Sequence, residues 1–482
     1  MVNQSPRINM RILNFILFFL SFCQTYAQNK ESWSLQQCVD YALANNNTVR
    51  QADLNSELSK SNYIQNRLNN LPTVNGFASH SYNFGQTIDR YTNQFANERV
   101  QSNNFALSSN MNLFNGMQNY NNWQQNKFNY EASVKDAEKA KNDIVLNVVN
   151  AYLQILFAQE ILDATRKQVQ LTQKQVERTK RLVDAGSANK GILLNVESQL
   201  SGEELQYINA ENNFNLANLN LALLLNMEKP SEFKVSRPNV SLPKEDALAL
   251  NPDGVYTIAQ EKLPEVKSAE LRLKSAEYAL ASSRGAIYPT LSLNASIATG
   301  YSGLRKNYSG EELVGYQTLV APDKTTVFYQ PIYTYTSSAV QPFADQFSNN
   351  INKSVGLNLN VPIFNGWQVQ NGIKRARINV MSQKLNYDNV KIQLRRNVQQ
   401  ASADALAAQK KYYATLKSNN AASENYKYTE QRYELGASNS FEYNDAKTRL
   451  SKADSDLLQA KYDYLFKVKI LEFYQGKPLV IE

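Results

Sequence analysis

A stripe of apolar and small residues begins at Ile144 and ends at Val183, with spacings that alternate between four and three. Its members are Ile144, Val148, Ala151, Ile155, Ala158, Leu162, Thr165, Val169, Thr172, Val176, Thr179 and Val183. This spacing places every member on one side of a long helix. After Gly186 a second stripe keeps the same spacing through Val196, Leu200, Glu203, Tyr207, Ala210, Phe214, Ala217, Leu221 and Leu224. The pattern predicts two long helices in an antiparallel hairpin, although an ordinary coiled-coil rod would carry such a stripe too.

The same unit occurs twice in the chain. The tripeptide Phe114-Asn115-Gly116 recurs as Phe364-Asn365-Gly366, 250 positions later (364 minus 114), and Gly186 recurs as Gly436 at the same offset. Further upstream, Pro72 matches Pro289 at an offset of 217. The second copy therefore holds 33 extra residues (250 minus 217) between its proline and its tripeptide. Two diverged repeats, each with a middle that tolerates insertions, are the simplest interpretation.

Four segments between the helical stripes alternate apolar and polar residues with a period of two, and they span residues 73–84, 105–113, 291–301 and 355–363. Strands of about ten residues cross a bilayer when tilted, and their alternation suits a lipid-facing and a water-facing side. Phe114, Trp123, Phe364 and Trp367 follow the second strand of each repeat, as aromatic residues do at a membrane interface. A soluble, half-buried sheet has the same alternation and stays open as an alternative.

Four strands are too few to close a membrane barrel, and open edges do not occur in lipid. The strands are therefore expected to close with those of other subunits, and three copies would supply twelve. The first repeat is assigned to residues 28–265, with an irregular linker at 228–264 and a short helix near 246–250. The second repeat spans 266–475, and 476–482 form a tail. Residues 85–101 and 302–353 are expected to be extracellular loops.

The N-terminus is typical of a secretory signal peptide. Arg7 and Arg11 precede an apolar run, and Ala27 offers a cleavage site, which assigns 1–27 to the signal. Lipidation at Cys23 is left open. Cys38 is then the only cysteine of the mature chain, so no internal disulfide is expected.

Composition narrows the classes of function. The chain has 482 residues, a formal net charge of +8 and one histidine, His80. The basic residues are scattered among acidic ones, so binding to nucleic acid is unsupported. The sequence contains no nucleophile–base–acid set, phosphate loop or metal-ligand cluster, so we predict no enzyme activity, no catalytic residues, no cofactor and no metal site.

The order helix, strand, strand, helical hairpin, given twice after a signal peptide, resembles the TolC family of outer-membrane efflux proteins. The marks that carry this resemblance are the proline before each first strand, the Phe-Asn-Gly after each second strand and the glycine at each hairpin tip. The resemblance implies an α+β membrane protein that forms a homotrimer in outer-membrane lipid. Its twelve-stranded antiparallel β-barrel, with four strands per chain, would continue as a twelve-helix coiled-coil barrel through the periplasm.

The resemblance also implies a site. Family members narrow the channel with acidic residues six and nine positions past the second tip glycine, which are Glu442 and Asp445 here. Tyr433 would be a hydrogen-bonding partner at this constriction. The position where some members carry a locking arginine holds Ser438, so that lock is not expected. Gly186 and Gly436 would mark the tips where a periplasmic adaptor protein and an inner-membrane transporter dock.

Two functions from different classes follow. The first is a passive outer-membrane exit duct of a tripartite efflux or type I secretion system. The second is an exported coiled-coil scaffold without channel activity. The four amphipathic strands separate them, because a scaffold has no use for strands of bilayer length. The sequence leaves the exported cargo open among drugs, metal ions and secreted proteins.

Overall fold

The computed structural model describes residues 32–97, 99–230, 233–238, 251–322 and 324–477. The predicted signal peptide, the short helix near 246–250 and residues 478–482 of the predicted tail lie outside these ranges. The first described helix begins with reciprocal hydrogen bonds between Ser34 and Gln37. Ser34 accepts a hydrogen bond from the Gln37 amide while the Gln37 side chain accepts one from the Ser34 amide. This capping box satisfies two backbone donors at the helix start.

The elements follow each other in an order that repeats. The first half contains α1 (Leu35–Asn45), α2 (Asn47–Leu68), β1 (Thr73–Asn83), β2 (Thr87–Asp89), β3 (Gln94–Ala96), β4 (Val100–Asn115), α3 (Gln118–Asp184) and α4 (Lys190–Leu224). The second half contains α5 (Pro252–Lys262), α6 (Pro264–Gly285), β5 (Thr290–Ser302), β6 (Lys306–Val320), β7 (Val327–Val340), α7 (Phe343–Asn349), β8 (Asn352–Asn360), α8 (Gln368–Glu434) and α9 (Ser440–Tyr474). The two long helices, α3 and α8, have 67 residues each, which is about 100 Å of helix.

The chain forms two compact units, and each sequence repeat contributes to both. The helical unit comprises residues up to Asn55, Val134–Lys267 and those from Asn389 on. The strand unit comprises Ser56–Ser133 and Ser268–Asp388.

The core of the helical unit lies where α1, α3, α4 and α9 meet. Tyr152, Ile155 and Leu221 are among its fully buried side chains. Burial of each such side chain contributes about 1.5–3 kcal/mol. The Tyr152 hydroxyl donates to the Ser236 carbonyl oxygen at 2.7 Å, so the buried polar atom has a partner. The heptad stripe predicted from Ile144 supplies much of this core.

The strand unit contains a four-stranded antiparallel sheet in the order β1-β4-β5-β8. Its register alternates polar and apolar rows. One row across all four strands is Asn75, Ser108, Ser296 and Ser354, and the next is Val74, Ser109, Ala295 and Val355. The polar side is cross-linked by hydrogen bonds, including Asn110 to Asn294 at 2.7 Å. The four strands therefore confirm the predicted amphipathic alternation.

Three expectations from sequence need correction. The linker at 228–264 is not irregular throughout, because α5 occupies Pro252–Lys262. Asn251 caps this helix and Pro252 fits its first turn. The second correction concerns 302–353, expected as a loop, which contains the paired strands β6 and β7 and the helix α7. The third concerns 85–101, which contains the short hairpin β2–β3.

Within the described residues, one helix, α3, contains a stretch that is long and apolar enough to cross a membrane by composition alone. Nearly half of that stretch is buried in the protein. A helix in the core of a protein can be equally long and apolar without crossing a membrane. The heptad stripe of α3 accounts for the apolar residues of this stretch.

Candidate functional site

The tips of the two helical hairpins share one backbone geometry. Gly186 has φ +72° and Gly436 has φ +71°, the left-handed region that favours glycine. After α3, the Gly186 amide donates to the Val183 oxygen and the Ser187 amide to the Leu182 oxygen. After α8, Gly436 and Ala437 repeat both bonds. These bonds form a Schellman motif, which ends a helix and turns the chain sharply.

The two predicted constriction carboxylates lie in the first turns of α9, and each contacts a basic residue of its own hairpin. Asn439 caps α9 by accepting from the Glu442 amide at 2.9 Å. The Glu442 carboxylate accepts from the Ser438 hydroxyl at 2.6 Å and lies 3.7 Å from an Arg432 nitrogen. Asp445 accepts from Arg449 Nε at 2.8 Å. In a single chain, both carboxylate side chains are 48% exposed and therefore remain accessible to water.

Tyr433 is one of three tyrosines that pack between α8 and α9 beside the tip. Its ring stacks on that of Tyr443, with centroids 4.8 Å apart. The Tyr443 and Tyr426 hydroxyls are 3.0 Å apart, and the Tyr426 hydroxyl donates to Glu430 at 2.7 Å. Burial raises the pKa of both Tyr426 and Tyr443, so both phenols keep their protons at neutral pH. Of these three tyrosines only Tyr433 was predicted from the sequence. The seven-residue spacing of Tyr426 and Tyr433 was the available signal for Tyr426.

A buried ion pair joins the first hairpin to the return helix of the second. Lys447 on α9 and Glu203 on α4 have side chains only 5% and 11% exposed, and their charged atoms are 3.4 Å apart. Lys447 Nζ also donates to the Thr172 hydroxyl at 2.5 Å, and this hydroxyl bonds the Glu203 carboxylate. Gln168 and Gln199 each donate to Glu203, at 3.0 and 2.9 Å. Burial lowers the pKa of Lys447, and the nearby Glu203 opposes that shift.

This polar cluster depends on divergence between the repeats. At the 250-residue offset, Glu203 corresponds to Ala453 and Lys447 corresponds to Glu197. Neither repeat alone holds both members of the ion pair. The ion pair was not predicted from the sequence. One residue did indicate it, because Glu203 is a charged residue within an otherwise uncharged heptad stripe.

The predicted interface aromatics in the strand unit differ in exposure. Phe114, Phe364 and Trp367 are 43%, 84% and 70% exposed. Trp123 is half-buried against the rings of Tyr63 and Tyr120, at centroid distances of 6.4 and 5.8 Å. Three of the four therefore present aromatic surface to the surroundings, and Trp123 mainly packs against other aromatic rings.

The glycine of the first Phe-Asn-Gly motif has a steric role. Gly116 has φ +64°, and a Cβ placed on it would clash with the carbonyl oxygen of Gly285. Gly366 has a similar φ of +59°, but a Cβ there would meet nothing within 4 Å. In the part of the chain that the structure describes, no group of three or more His, Cys, Asp or Glu residues is arranged to hold a metal ion.

A family model for the outer membrane efflux protein matches residues 38–227 and 255–476, which include every helix and strand of the two repeats except parts of α1 and α5. The chain belongs to the outer membrane efflux protein family. This membership confirms the predicted family and places the chain in the outer membrane, extending into the periplasm. The channels of this family are not enzymes.

Two relatives of low sequence identity are named as outer membrane proteins, and one of them as part of an efflux pump. The toluene efflux pump outer membrane protein TtgC of Pseudomonas putida is 21% identical over 433 residues, which cover 88% of this chain and 79% of TtgC. The probable outer membrane lipoprotein SilC of Salmonella typhimurium is 22% identical over 272 residues. That match spans about half of SilC, 56% of each chain.

Two solved structures extend this likeness to the whole fold. The CmeC outer membrane channel of Campylobacter jejuni superposes with a TM-score of 0.74 at 18% identity, and covers 93% of this chain and 87% of CmeC. The outer membrane protein VceC of Vibrio cholerae gives a TM-score of 0.73 at 14% identity, covering 92% of this chain and 97% of VceC. At these identities the likeness establishes the fold.

Proposed function

We propose that three copies of this chain assemble into a passive exit duct that carries substrates from an inner-membrane pump across the periplasm and the outer membrane. The observation that carries the proposal is the four-stranded sheet. One of its faces is apolar and exposed, the other is polar, and the outer edges of β1 and β8 have no paired strand among the described residues.

The apolar face suits lipid better than water. On β8 the apolar residues Val355, Leu357 and Leu359 are 77%, 63% and 67% exposed. A soluble protein rarely leaves such a contiguous apolar surface uncovered. The alternate positions of the same strand, Ser354, Gly356 and Asn358, belong to the polar side, which suits a water-filled lumen.

The open edges require other subunits. Each backbone group left unpaired in lipid costs several kcal/mol, so β1 and β8 need partner strands. Four strands are half of the smallest known membrane barrel, whereas three copies give twelve, within the known range. Pairing of β1 of one copy with β8 of the next would close the ring without an edge.

The long helices also present a surface for a second copy. On α8, five apolar residues that are multiples of seven positions apart are about half exposed or more: Ile378, Leu385, Ile392, Leu406 and Tyr413. The position at 399 in this register holds a glutamine. A stripe with that period packs against a neighbouring helix in a coiled coil. Contact between copies along this stripe would build the predicted helical barrel.

At the tips, threefold symmetry would place Glu442 and Asp445 of each copy around the periplasmic entrance, with Tyr433 beside them. A ring of carboxylates favours cations in a narrow aqueous passage. Arg432 and Arg449 hold these carboxylates within one chain, and we expect this contact to weaken when the entrance opens. The loops at Gly186 and Gly436 would then receive the adaptor protein.

Reconstitution of the purified protein into planar lipid bilayers tests the proposal. A duct gives discrete, long-lived conductance steps and prefers cations. A protein that inserts no conducting unit at any concentration, in bilayers that accept a control porin, would contradict the proposal and favour the scaffold.

A further inference from the structure

The longest insertion in the chain forms an anchored β-ribbon, defined here as β6 and β7. In the described residues these strands pair only with each other. The foot of the ribbon is held by Gln346 of α7, which is fully buried. Its oxygen accepts from the Ser302 amide at 2.9 Å, and its nitrogen donates to the carbonyl oxygens of Ser302 and Gln341 at 3.0 and 2.9 Å. The Ser302 hydroxyl bonds the buried Asp89.

These contacts give the ribbon a fixed base. Ser302 ends β5 and Gln341 follows β7, so Gln346 ties both ends of the ribbon to the end of the sheet. The Gln341 amide also donates to the Arg305 carbonyl oxygen at 2.8 Å, which closes the first rung. A buried side chain that satisfies three backbone groups is not expected under a freely moving loop.

The two faces of the ribbon differ in composition. Tyr329, Pro331, Tyr333 and Tyr335 alternate along β7 and share one face, which Tyr316 joins because it pairs with Pro331. We call this the tyrosine face. The opposite face of β7 carries Phe328, Gln330, Ile332 and Thr334. The four tyrosines are between 50% and 68% exposed, the highest being Tyr329.

A ribbon of this kind is not stable alone in water. An isolated two-stranded hairpin is marginal, and it needs a further layer that buries one face. Natural edge strands are protected by charged residues or proline, and β7 has Pro331 but no Asp, Glu, Lys or Arg over 14 residues. Every residue of β7 is exposed in a single chain. Something is therefore expected to cover the tyrosine face.

We propose that the tyrosine face packs against the ribbons of the other two copies of this chain and narrows the extracellular mouth of the duct. This inference rests on the proposed trimer. The ribbon leaves the sheet between β5 and β8, and β8 is an edge strand at which the next copy would begin. Each ribbon is thus rooted next to the interface between copies.

The dimensions agree with contact across the mouth. Twelve strands about 4.8 Å apart, tilted by about 40°, enclose a barrel about 24 Å across between backbones. The 14 residues of β7 extend about 45 Å at about 3.3 Å each. Ribbons that lean inward from three sides therefore meet before their tips are reached, and aromatic faces stack well on each other.

Cysteine cross-linking of the full-length protein tests this contact. Tyr329→Cys places a thiol on the tyrosine face, and Gln330→Cys is the matched control on the opposite face of the same strand. The native Cys38 is buried, and burial raises the pKa of its thiol to about 12, so it does not compete. We expect covalent dimers from Tyr329→Cys upon mild oxidation, and only monomers on denaturing gels from Gln330→Cys.

A parallel mass measurement in detergent separates the two proposals. A trimer that gives no Tyr329→Cys dimers, or equal dimers from both variants, would overturn the ribbon contact and leave the duct intact. A monomeric protein would overturn both. Quenching of a fluorophore on Tyr329→Cys by brominated lipid, without dimers, would show that the face lies on the membrane and would also refute the contact.

Discussion

Removal of one partner of the Lys447–Glu203 ion pair is expected to destabilise the helical unit strongly. The two side chains are 5% and 11% exposed and lie on different hairpins. A buried charge left without its partner costs about 3–5 kcal/mol. In Glu203→Leu, the one polar contact that Lys447 retains among the described residues is the Thr172 hydroxyl. This variant should therefore lose about 3–5 kcal/mol of unfolding free energy, the upper part of what single substitutions cost.

The reciprocal variant should cost less. In Lys447→Met, the Glu203 carboxylate retains donors from Gln168, Gln199 and Thr172. Each such bond to a charged group contributes about 1.5–3 kcal/mol, so they offset part of the lost ion pair. Glu203→Leu combined with Lys447→Met should be more stable than Glu203→Leu alone, because no buried charge remains unpaired.

Guanidinium unfolding, followed by the helical circular dichroism signal, measures these differences as a double-mutant cycle. The matched control is Lys467→Met, which breaks the ion pair between Lys467 Nζ and Asp404 Oδ2, 2.9 Å apart. These two side chains are 30% and 31% exposed, so this pair is less buried than the Lys447–Glu203 pair. Half-exposed pairs contribute about 0.2–1 kcal/mol. If the two buried substitutions add without coupling, or if Lys467→Met costs as much as Glu203→Leu, the reasoning is refuted.

The ion pair also has a pH signature. Because burial lowers the pKa of Lys447 below its usual 10.5, the unfolded chain binds more protons between the two pKa values. Stability should therefore rise with pH across that window, and this component should be missing in Lys447→Met. The difference between wild type and Lys447→Met isolates it from the contribution of the buried tyrosines, which both proteins contain. Parallel pH profiles for the two proteins would contradict this assignment.

Three further outcomes are expected. Combined Glu442→Ala and Asp445→Ala should lower cation selectivity and relieve block by multivalent cations in single-channel recordings; unchanged values would exclude them as the gate. Ser309→Cys on intact cells should react with an impermeant thiol reagent while Ser187→Cys should not, and the reverse would invert the topology. Gly116→Ala should reduce the amount of folded protein, measured by membrane yield, because it adds a clash to a strained left-handed backbone; a normal yield would show that the turn relaxes.

Periodicity was enough to predict the long helical hairpin and the four strands of the sheet. The heptad stripe predicted α3 and α4 and their glycine turn, and the alternating segments predicted the four sheet strands. In both cases the two faces of the element lie in different environments. Apolar and polar residues therefore repeat along the sequence with the period of the helix or the strand. Residues 327–340 have no regular apolar–polar alternation and no counterpart in the first repeat, so the sequence predicted a loop where β7 forms.

Contacts between distant elements were harder to foresee. Glu203 stood out within its stripe, but its partner Lys447 lies 244 positions away (447 minus 203) on a different hairpin. No single-helix pattern shows which faces meet. The Asp445–Arg449 contact was readable from the sequence, because the two residues are four positions apart on one helix. The Glu442–Arg432 contact was not, because it crosses the turn between α8 and α9. The predicted roles of both carboxylates stay predictions.

The central claim is that the open four-stranded sheet closes with two other copies of the chain. Native mass spectrometry of the mature protein, released from detergent micelles, tests it most directly. The account predicts a species of three chains that persists upon dilution. A stable, folded monomer as the only species would contradict it, because four strands cannot close a barrel in lipid.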